Sequence, residues 1–186
     1  MSTATPTRLV TVEQFAEMSF DGPVELVRGE IVELTRPDQS HGNVCFQVAK
    51  TIDAWACPKN LGRVTTNDSR IVTQPELDTV RGADVAYFSI SQLPGGKMPR
   101  GQTLLVPVLC VEVLSPTNRW TETRRKIEEY LTAGVREVWI VDSEARTVET
   151  FRSDAPSVLL HESQSLTSRE LPAFSVHVGE LFTGVE

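Results

Sequence analysis

Two spacings of apolar residues divide the chain into helices and strands. Thr11-Val12-Glu13-Gln14 opens a short helix with Thr11 as its cap and Gln14 reaching back, and Phe15 and Met18 form its apolar side. Val24-Glu25-Leu26-Val27 and Glu30-Ile31-Val32-Glu33-Leu34 alternate about Arg28-Gly29, which predicts a β-hairpin. From about His41 to Ala56, Val44, Cys45, Val48, Ile52 and Trp55 return at helical spacing, and Pro58 ends that helix. Gly62 to Thr66 and Arg70 to Thr73 read as strands flanking an Asn67-Asp68 turn.

The second half continues the alternation of elements. Ala83 to Ile90 is a strand preceded by Arg81-Gly82, and Pro94-Gly95-Gly96-Lys97 begins a loop. Val106 to Leu114 is the most apolar strand and is expected at the centre, with pairing starting after Pro107. Pro116 and Asn118 lead into a helix from about Thr121 to Ala133 that Gly134 closes. Glu137 to Val141 is a further strand, and Thr147 to Phe151 with Ser157 to Leu160 forms a terminal hairpin. The tail from Leu171 to Glu186 holds one helical turn near Val178 to Phe182. The order predicts an α/β (α+β) domain spanning 1–186, a sheet of mixed strand directions with helices packed on it. Met1 to Arg8 is Ser/Thr/Pro-rich and is expected to be disordered.

Composition narrows the function. Lys and Arg number 18 against 25 Asp and Glu, a net charge of −7, which argues against a protein that coats nucleic acid non-specifically. A local basic spot remains possible, because Arg119, Arg124, Arg125 and Lys126 gather on the helix after Glu112. No apolar stretch approaches the ~20 residues of a membrane span, and the N-terminus does not form a signal peptide. Cys45, Cys57 and Cys110 are odd in number and form no CxxC, so they read as buried free thiols of a cytoplasmic protein.

No phosphate-binding glycine loop, HExxH or GxSxG occurs, and His161 and His177 have no ligand partner at a useful spacing. Two carboxylates stand out instead. Asp84 lies in Gly82-Ala83-Asp84-Val85-Ala86 and Glu112 in Cys110-Val111-Glu112-Val113-Leu114, each inside a run that otherwise belongs in a core. A buried carboxylate costs several kcal/mol unless it is paired or bound to a cation. Either residue alone could be a strand-end carboxylate, solvated or paired with an arginine. The two together on neighbouring strands point to a shared divalent ion, and oxygen-only ligands favour Mg²⁺ or Mn²⁺. Lys126 falls at the edge of the apolar stripe of its helix beside Tyr130, where spacing alone favours a surface pair with Glu122 worth roughly 0.3–0.5 kcal/mol.

The order Val24-Glu25-Leu26-Val27-Arg28-Gly29-Glu30, His41, Asp84-Val85, Val111-Glu112-Val113-Leu114-Ser115-Pro116, Lys126 to Tyr130, and Ala133-Gly134-Val135-Arg136-Glu137-Val138-Trp139-Ile140-Val141-Asp142 resembles the Uma-two family. That family is a restriction-endonuclease-like branch of the PD-(D/E)XK nuclease superfamily. The resemblance runs from about Thr11 to Phe151 and is most specific from Val111 to Asp142. It implies a restriction-endonuclease-like mixed sheet and a Mg²⁺-dependent (or Mn²⁺-dependent) phosphodiesterase acting on nucleic acid, DNA foremost. It matches Asp84 to the Asp of the "PD" element and Glu112 to the acid of "(D/E)XK". Ala83 stands where the proline is usual and Leu114 where the superfamily lysine is, so the lysine role passes to Lys126.

The resemblance further implies an ion held by Asp84, Glu112 and a carbonyl at Val113, with Glu25 near the site. His41 is implied to contact a phosphate or cap its helix. Arg119, Arg125 and Tyr130 are candidate substrate contacts. A binding or regulatory module that has kept the carboxylates but lost catalysis is the alternative. The apolar Val158-Leu159-Leu160 could pair with a second copy as a homodimer.

Overall fold

The computed structural model describes residues 9–101, 103–115 and 119–186. The expectations for Met1 to Arg8 and for Pro116 and Asn118 lie outside the described residues. Three α-helices and ten strands follow in the order α1 (Val12–Glu17), β1 (Val24–Val27), β2 (Glu30–Glu33), α2 (Gln39–Ala56), β3 (Gly62–Gln74), β4 (Thr79–Ser89), β5 (Leu109–Leu114), α3 (Trp120–Ala133), β6 (Glu137–Asp142), β7 (Thr147–Arg152), β8 (Ala155–His161), β9 (Ser165–Thr167) and β10 (Ser175–His177). None of the described helices is long and apolar enough to cross a membrane.

Local chemistry accounts for most boundaries. Thr11 and Gln14 form the capping box of α1. Arg28 and Gly29 both take positive φ, as a two-residue turn between right-twisted strands requires. Gly134 ends α3 at φ 106°, a left-handed conformation that costs glycine little. Asp38, not His41, caps α2: its carboxylate accepts from the His41 backbone N–H at 2.8 Å.

β1, β2 and β4 to β8 form one sheet in the order β2-β1-β4-β5-β6-β7-β8, with β3 lying along β4. Only β5 and β6 are parallel, and α3 is the crossover between them; the other pairs are antiparallel. β5 is central, as its apolar sequence predicts, and pairing starts beyond Pro107. Alternate residues feed two cores. Val111, Val113, Trp139 and Val141 face α2 and the C-terminal segment, while Cys110, Val138 and Ile140 pack with Ile127 and Tyr130 of α3. The short β9–β10 pair and the turn Val178–Phe182 cover the α2 side.

Further expectations change. Asn67-Asp68 is not a turn between two strands, because β3 runs on through it. Thr66 pairs with Val85 and Ser69 with Ala83, so Asn67 and Asp68 together oppose Asp84 as a β-bulge. β4 begins at Thr79 and includes Arg81-Gly82. Cys57 is exposed rather than buried, Cys45 is partly buried and Cys110 is fully buried.

Candidate active site

β4 forks the sheet. β3 follows one of its edges from end to end, so β1 and β5 share the other: β1 pairs through Leu26↔Val80 and β5 from Val85↔Val111 onward. Between these pairings, Arg81 to Asp84 has no strand on that edge, and buried peptide groups there need other partners. Side chains supply them. The Gly82 N–H donates to Glu25 Oε1 at 3.1 Å, and Lys126 Nζ donates to the Gly82 carbonyl at 3.3 Å. Continuing the register places Asp84 opposite Glu112, but pairing stops one residue short. Asp84 Oδ2 instead accepts the Val113 N–H at 2.7 Å. The bulge on β3 lies opposite Asp84 and interrupts the β3–β4 ladder there.

α3 closes the fork. Lys126 Nζ donates to Glu112 Oε2 at 2.9 Å and to Glu25 Oε1 at 2.9 Å. With the Gly82 carbonyl, these acceptors engage all three ammonium donors. One turn on, the fully buried Tyr130 donates its hydroxyl to Glu112 Oε1 at 2.7 Å. Both Glu112 oxygens are therefore oriented from α3.

A buried ion-pair network backs this cluster. Arg81 donates from Nη1 to Glu25 Oε2 at 2.8 Å, and from Nε and Nη2 to Glu129 at 2.5 and 3.0 Å. Arg125 adds a contact to Glu129 at 3.0 Å. On the opposite flank, His41 Nε2 lies 3.0 Å from the Val113 carbonyl and 3.5 Å from Asp84 Oδ2, and its Nδ1 lies 3.4 Å from Cys45 Sγ.

Charge is unevenly compensated across the cluster. Burial pushes the Glu112 carboxyl up to about 7, and the neighbouring Asp84 and Glu25 charges add to that rise while Lys126 opposes it. Burial also works against the charge on Glu25, yet Lys126 and Arg81 outweigh it and hold that carboxyl below its usual range. Burial opposes the Lys126 ammonium too, but Glu112 and Glu25 win and lift its pKa well above the ordinary lysine value. His41 follows the same pattern: burial would lower it, but hydrogen bonds to Asp84 and Cys45 raise it to about 11. At neutral pH the site thus presents fixed cations at Lys126, Arg81 and His41, and a carboxyl at Glu112 that is short of positive charge.

A cleft of about 570 Å³ opens onto His41, Asp84, Glu112, Val113 and Lys126, walled by β2 and the segment that leads into α2. A smaller one of about 240 Å³ reaches Glu25, Glu112 and Arg125. Arg125 also lines a larger groove of about 810 Å³ along α3, with Arg28, Trp120 and Arg124. That groove shares Arg125 with the smaller cleft and does not include Asp84 or Glu112.

The structure brings Asp84, Glu112, Val113, Lys126, Glu25, His41 and Tyr130 together. Tyr130 is fully buried against Glu112 instead of lying where a substrate could touch it. Lys126 pairs with Glu112 and Glu25 rather than with Glu122. Arg119 is exposed at the start of α3, and the Arg125 side chain is 46% exposed. Arg81 and Glu129 were not legible as site residues. They stand 48 positions apart, and only the i,i+3 spacing of Lys126 and Glu129 hinted that Glu129 shares a face with the lysine.

The chain matches the family model Uma2, described as a putative restriction endonuclease, over residues 12–179. Its fold is similar to that of a crystal structure described as a putative nuclease belonging to DUF820 from Anabaena variabilis ATCC 29413. The TM-score is 0.80 at 19% identity, covering 93% of this chain and 97% of that one. At this identity the likeness is one of fold: a mixed sheet flanked by helices, as in restriction-endonuclease-like nucleases. None of the curated proteins matches the chain significantly.

Proposed function

The chain belongs to the Uma2 family of putative restriction endonucleases, and on that premise we propose that it is a divalent-metal-dependent nuclease that hydrolyses phosphodiester bonds of DNA. The observation that carries this reading is the cluster at the fork of β4, where Asp84, Glu112 and Val113 line one cleft with Lys126. The donors suit Mg²⁺ or Mn²⁺, being oxygens of two carboxylates and one carbonyl. The raised pKa of Glu112 fits as well, because it marks a carboxyl lacking the positive charge that a cation provides. Bound by these groups, the ion supplies Lewis-acid polarisation of a phosphate and lowers the pKa of a water.

The chain's own residues have separable tasks. Lys126 acts as a fixed charge and not as a general base, because two carboxylates keep it an ammonium. Its place beside Glu112 suits it to stabilise negative charge that develops on the phosphate. Glu25 has one oxygen on Lys126 and the Gly82 N–H and the other on Arg81, so it positions the lysine and is not a ligand. Tyr130 fixes Glu112 from behind. Protonated His41 holds the Val113 carbonyl and Asp84 in place and stands at the cleft, where a phosphate oxygen can meet it.

Nucleic acid approaches along the groove beside α3. Arg28, Arg124 and Arg125 can meet phosphates there, and Trp120, 50% exposed, offers a face for stacking. Base–aromatic stacking is worth about 1–3 kcal/mol, so Trp120→Ala is expected to weaken DNA binding about tenfold while kcat changes little. Fluorescence anisotropy with kinetics checks this, and an unchanged Kd removes Trp120 from the substrate path.

The pH dependence has a definite sign. Folding raises the Glu112 pKa from 4.5 to about 7, so the protonated carboxyl favours the folded state, and that contribution is lost as pH rises through about 7. A cation that takes the proton's place stabilises above that pH. Saturating Mg²⁺ is therefore expected to raise the melting temperature more at about pH 8 than at about pH 6. Scanning calorimetry reads the difference, and a larger rise at the lower pH contradicts the assignment of Glu112 as a ligand.

A second copy pairs along β8 in this reading. β8 is an edge strand with an open row of backbone groups, and Val158 and Leu159 are 52% and 50% exposed on it. Light scattering is expected to give a dimer mass for wild type and a monomer mass for Val158→Lys. A monomeric wild type at micromolar concentration removes this interface.

A further inference from the structure

α2 carries two metal-ligating side chains one turn apart, His41, which lines the cleft, and Cys45. A ring nitrogen of His41, Cys45 Sγ and a carboxylate oxygen of Asp84 lie within 4.8 Å of one another. We propose that His41, Cys45 and Asp84 form a second metal site, for a borderline-soft divalent cation such as Zn²⁺, which shares Asp84 with the oxygen-lined Mg²⁺ site.

Ligand type separates the two sites. Thiolate and imidazole select zinc-like ions over Mg²⁺, whereas carboxylate and carbonyl oxygens do the reverse. Spacing fits as well. Two ligands of a tetrahedral zinc ion, one sulfur at about 2.3 Å and one nitrogen at about 2.0–2.1 Å, stand roughly 3.5 Å apart. Cys45 Sγ and His41 Nδ1 are already 3.4 Å apart, and a single His41 ring nitrogen, the sulfur and an Asp84 oxygen all lie within 4.8 Å of one another. His41 and Cys45 are held by the same helix, so little ordering is needed when an ion arrives.

The cleft that reaches His41 and Asp84 provides the entry path and room for a water as fourth ligand. On binding, the Cys45 thiol and the His41 imidazolium each release a proton to solvent, and no redox change is involved. The consequence for catalysis rests on the nuclease reading. Two dications that draw on the one Asp84 carboxylate repel each other and compete for its charge, so Zn²⁺ antagonises the activating cation.

Co²⁺ titration tests the site without any activity measurement. The background is Cys57→Ser, which removes the exposed thiol. One equivalent of Co²⁺ is expected to produce a thiolate-to-cobalt charge-transfer band, which the additional Cys45→Ser change abolishes. No band in the Cys57→Ser protein, or a band that survives Cys45→Ser, overturns the site. The second arm measures Zn²⁺ inhibition of Mg²⁺-dependent DNA cleavage. Cys45→Ser is expected to keep the Mg²⁺-dependent rate while raising the half-inhibitory Zn²⁺ concentration about tenfold or more. An unchanged half-inhibitory concentration overturns the sharing of Asp84. A Co²⁺ band in a protein that cleaves no DNA supports this site and overturns the nuclease reading instead.

Discussion

Asp84→Ala and Glu112→Ala are each expected to lower Mg²⁺-dependent DNA cleavage about a thousandfold, a loss of about 4 kcal/mol of transition-state stabilisation. Each removes one of the two carboxylates proposed to hold the ion. The two variants differ in their structural consequences. Asp84 is only partly buried, so Asp84→Ala leaves the Val113 N–H and the His41 imidazolium in need of water at the cleft. Glu112 is nearly buried between Lys126 and Tyr130, so Glu112→Ala also strands an ammonium and a hydroxyl. Glu112→Gln is the cleaner comparison, since it removes the charge, keeps one acceptor for Lys126, and turns its NH2 to a Tyr130 hydroxyl that can accept. Circular dichroism and melting curves recorded alongside the rates separate lost chemistry from lost fold. Cleavage within threefold of wild type by both folded Asp84→Ala and folded Glu112→Gln removes the carboxylates from the mechanism.

Arg81→Met is expected to destabilise the fold by about 3–5 kcal/mol, as loss of one member of a buried ion network does. The Arg81 side chain is 8% exposed, and its partners Glu25 and Glu129 are 3% and 7% exposed. Methionine fills much of the same space and leaves both carboxylates without the guanidinium that forks between them. Arg81→Lys should recover only part of the loss, because a point charge cannot meet two carboxylates in fixed directions. Activity should fall together with stability, since Glu25 also aligns Lys126. Urea denaturation gives the stability change directly. A loss below about 1 kcal/mol is what an exposed pair gives, and it contradicts the buried fork described above.

Legibility in the sequence followed how local each determinant was. The β1–β2 hairpin could be read because the turn residues Arg28-Gly29 and the alternation beside them lie within ten positions. The capping box of α1 and the Gly134 stop of α3 were local for the same reason. The bulge was not legible. Asn67-Asp68 carries turn chemistry whether the chain reverses or merely steps aside, and only pairing with β4 decides which. β9 and β10 are three residues each, too short for a periodicity to show.

The site divides along the same line. Asp84 and Glu112 could be picked out because a charge inside an apolar strand is costly wherever the strand goes. That criterion is not sufficient by itself. Glu137 also sits in an apolar strand and is buried, yet its partners are Trp139, Ser168 and Arg152, which tie β6 to its neighbours outside the cleft. Lys126 needed the fork of β4 to explain it, because helical spacing alone placed it in reach of Glu122. Arg81 and Glu129 meet only in three dimensions, and no local pattern announces them.

The most direct measurement of the central claim is anomalous scattering from crystals of the protein soaked in Mn²⁺. One ion is expected, bonded to the carboxylates of Asp84 and Glu112 and to the Val113 carbonyl oxygen. An ion bound elsewhere with these three oxygens unligated, or no ion at saturating Mn²⁺, would contradict it.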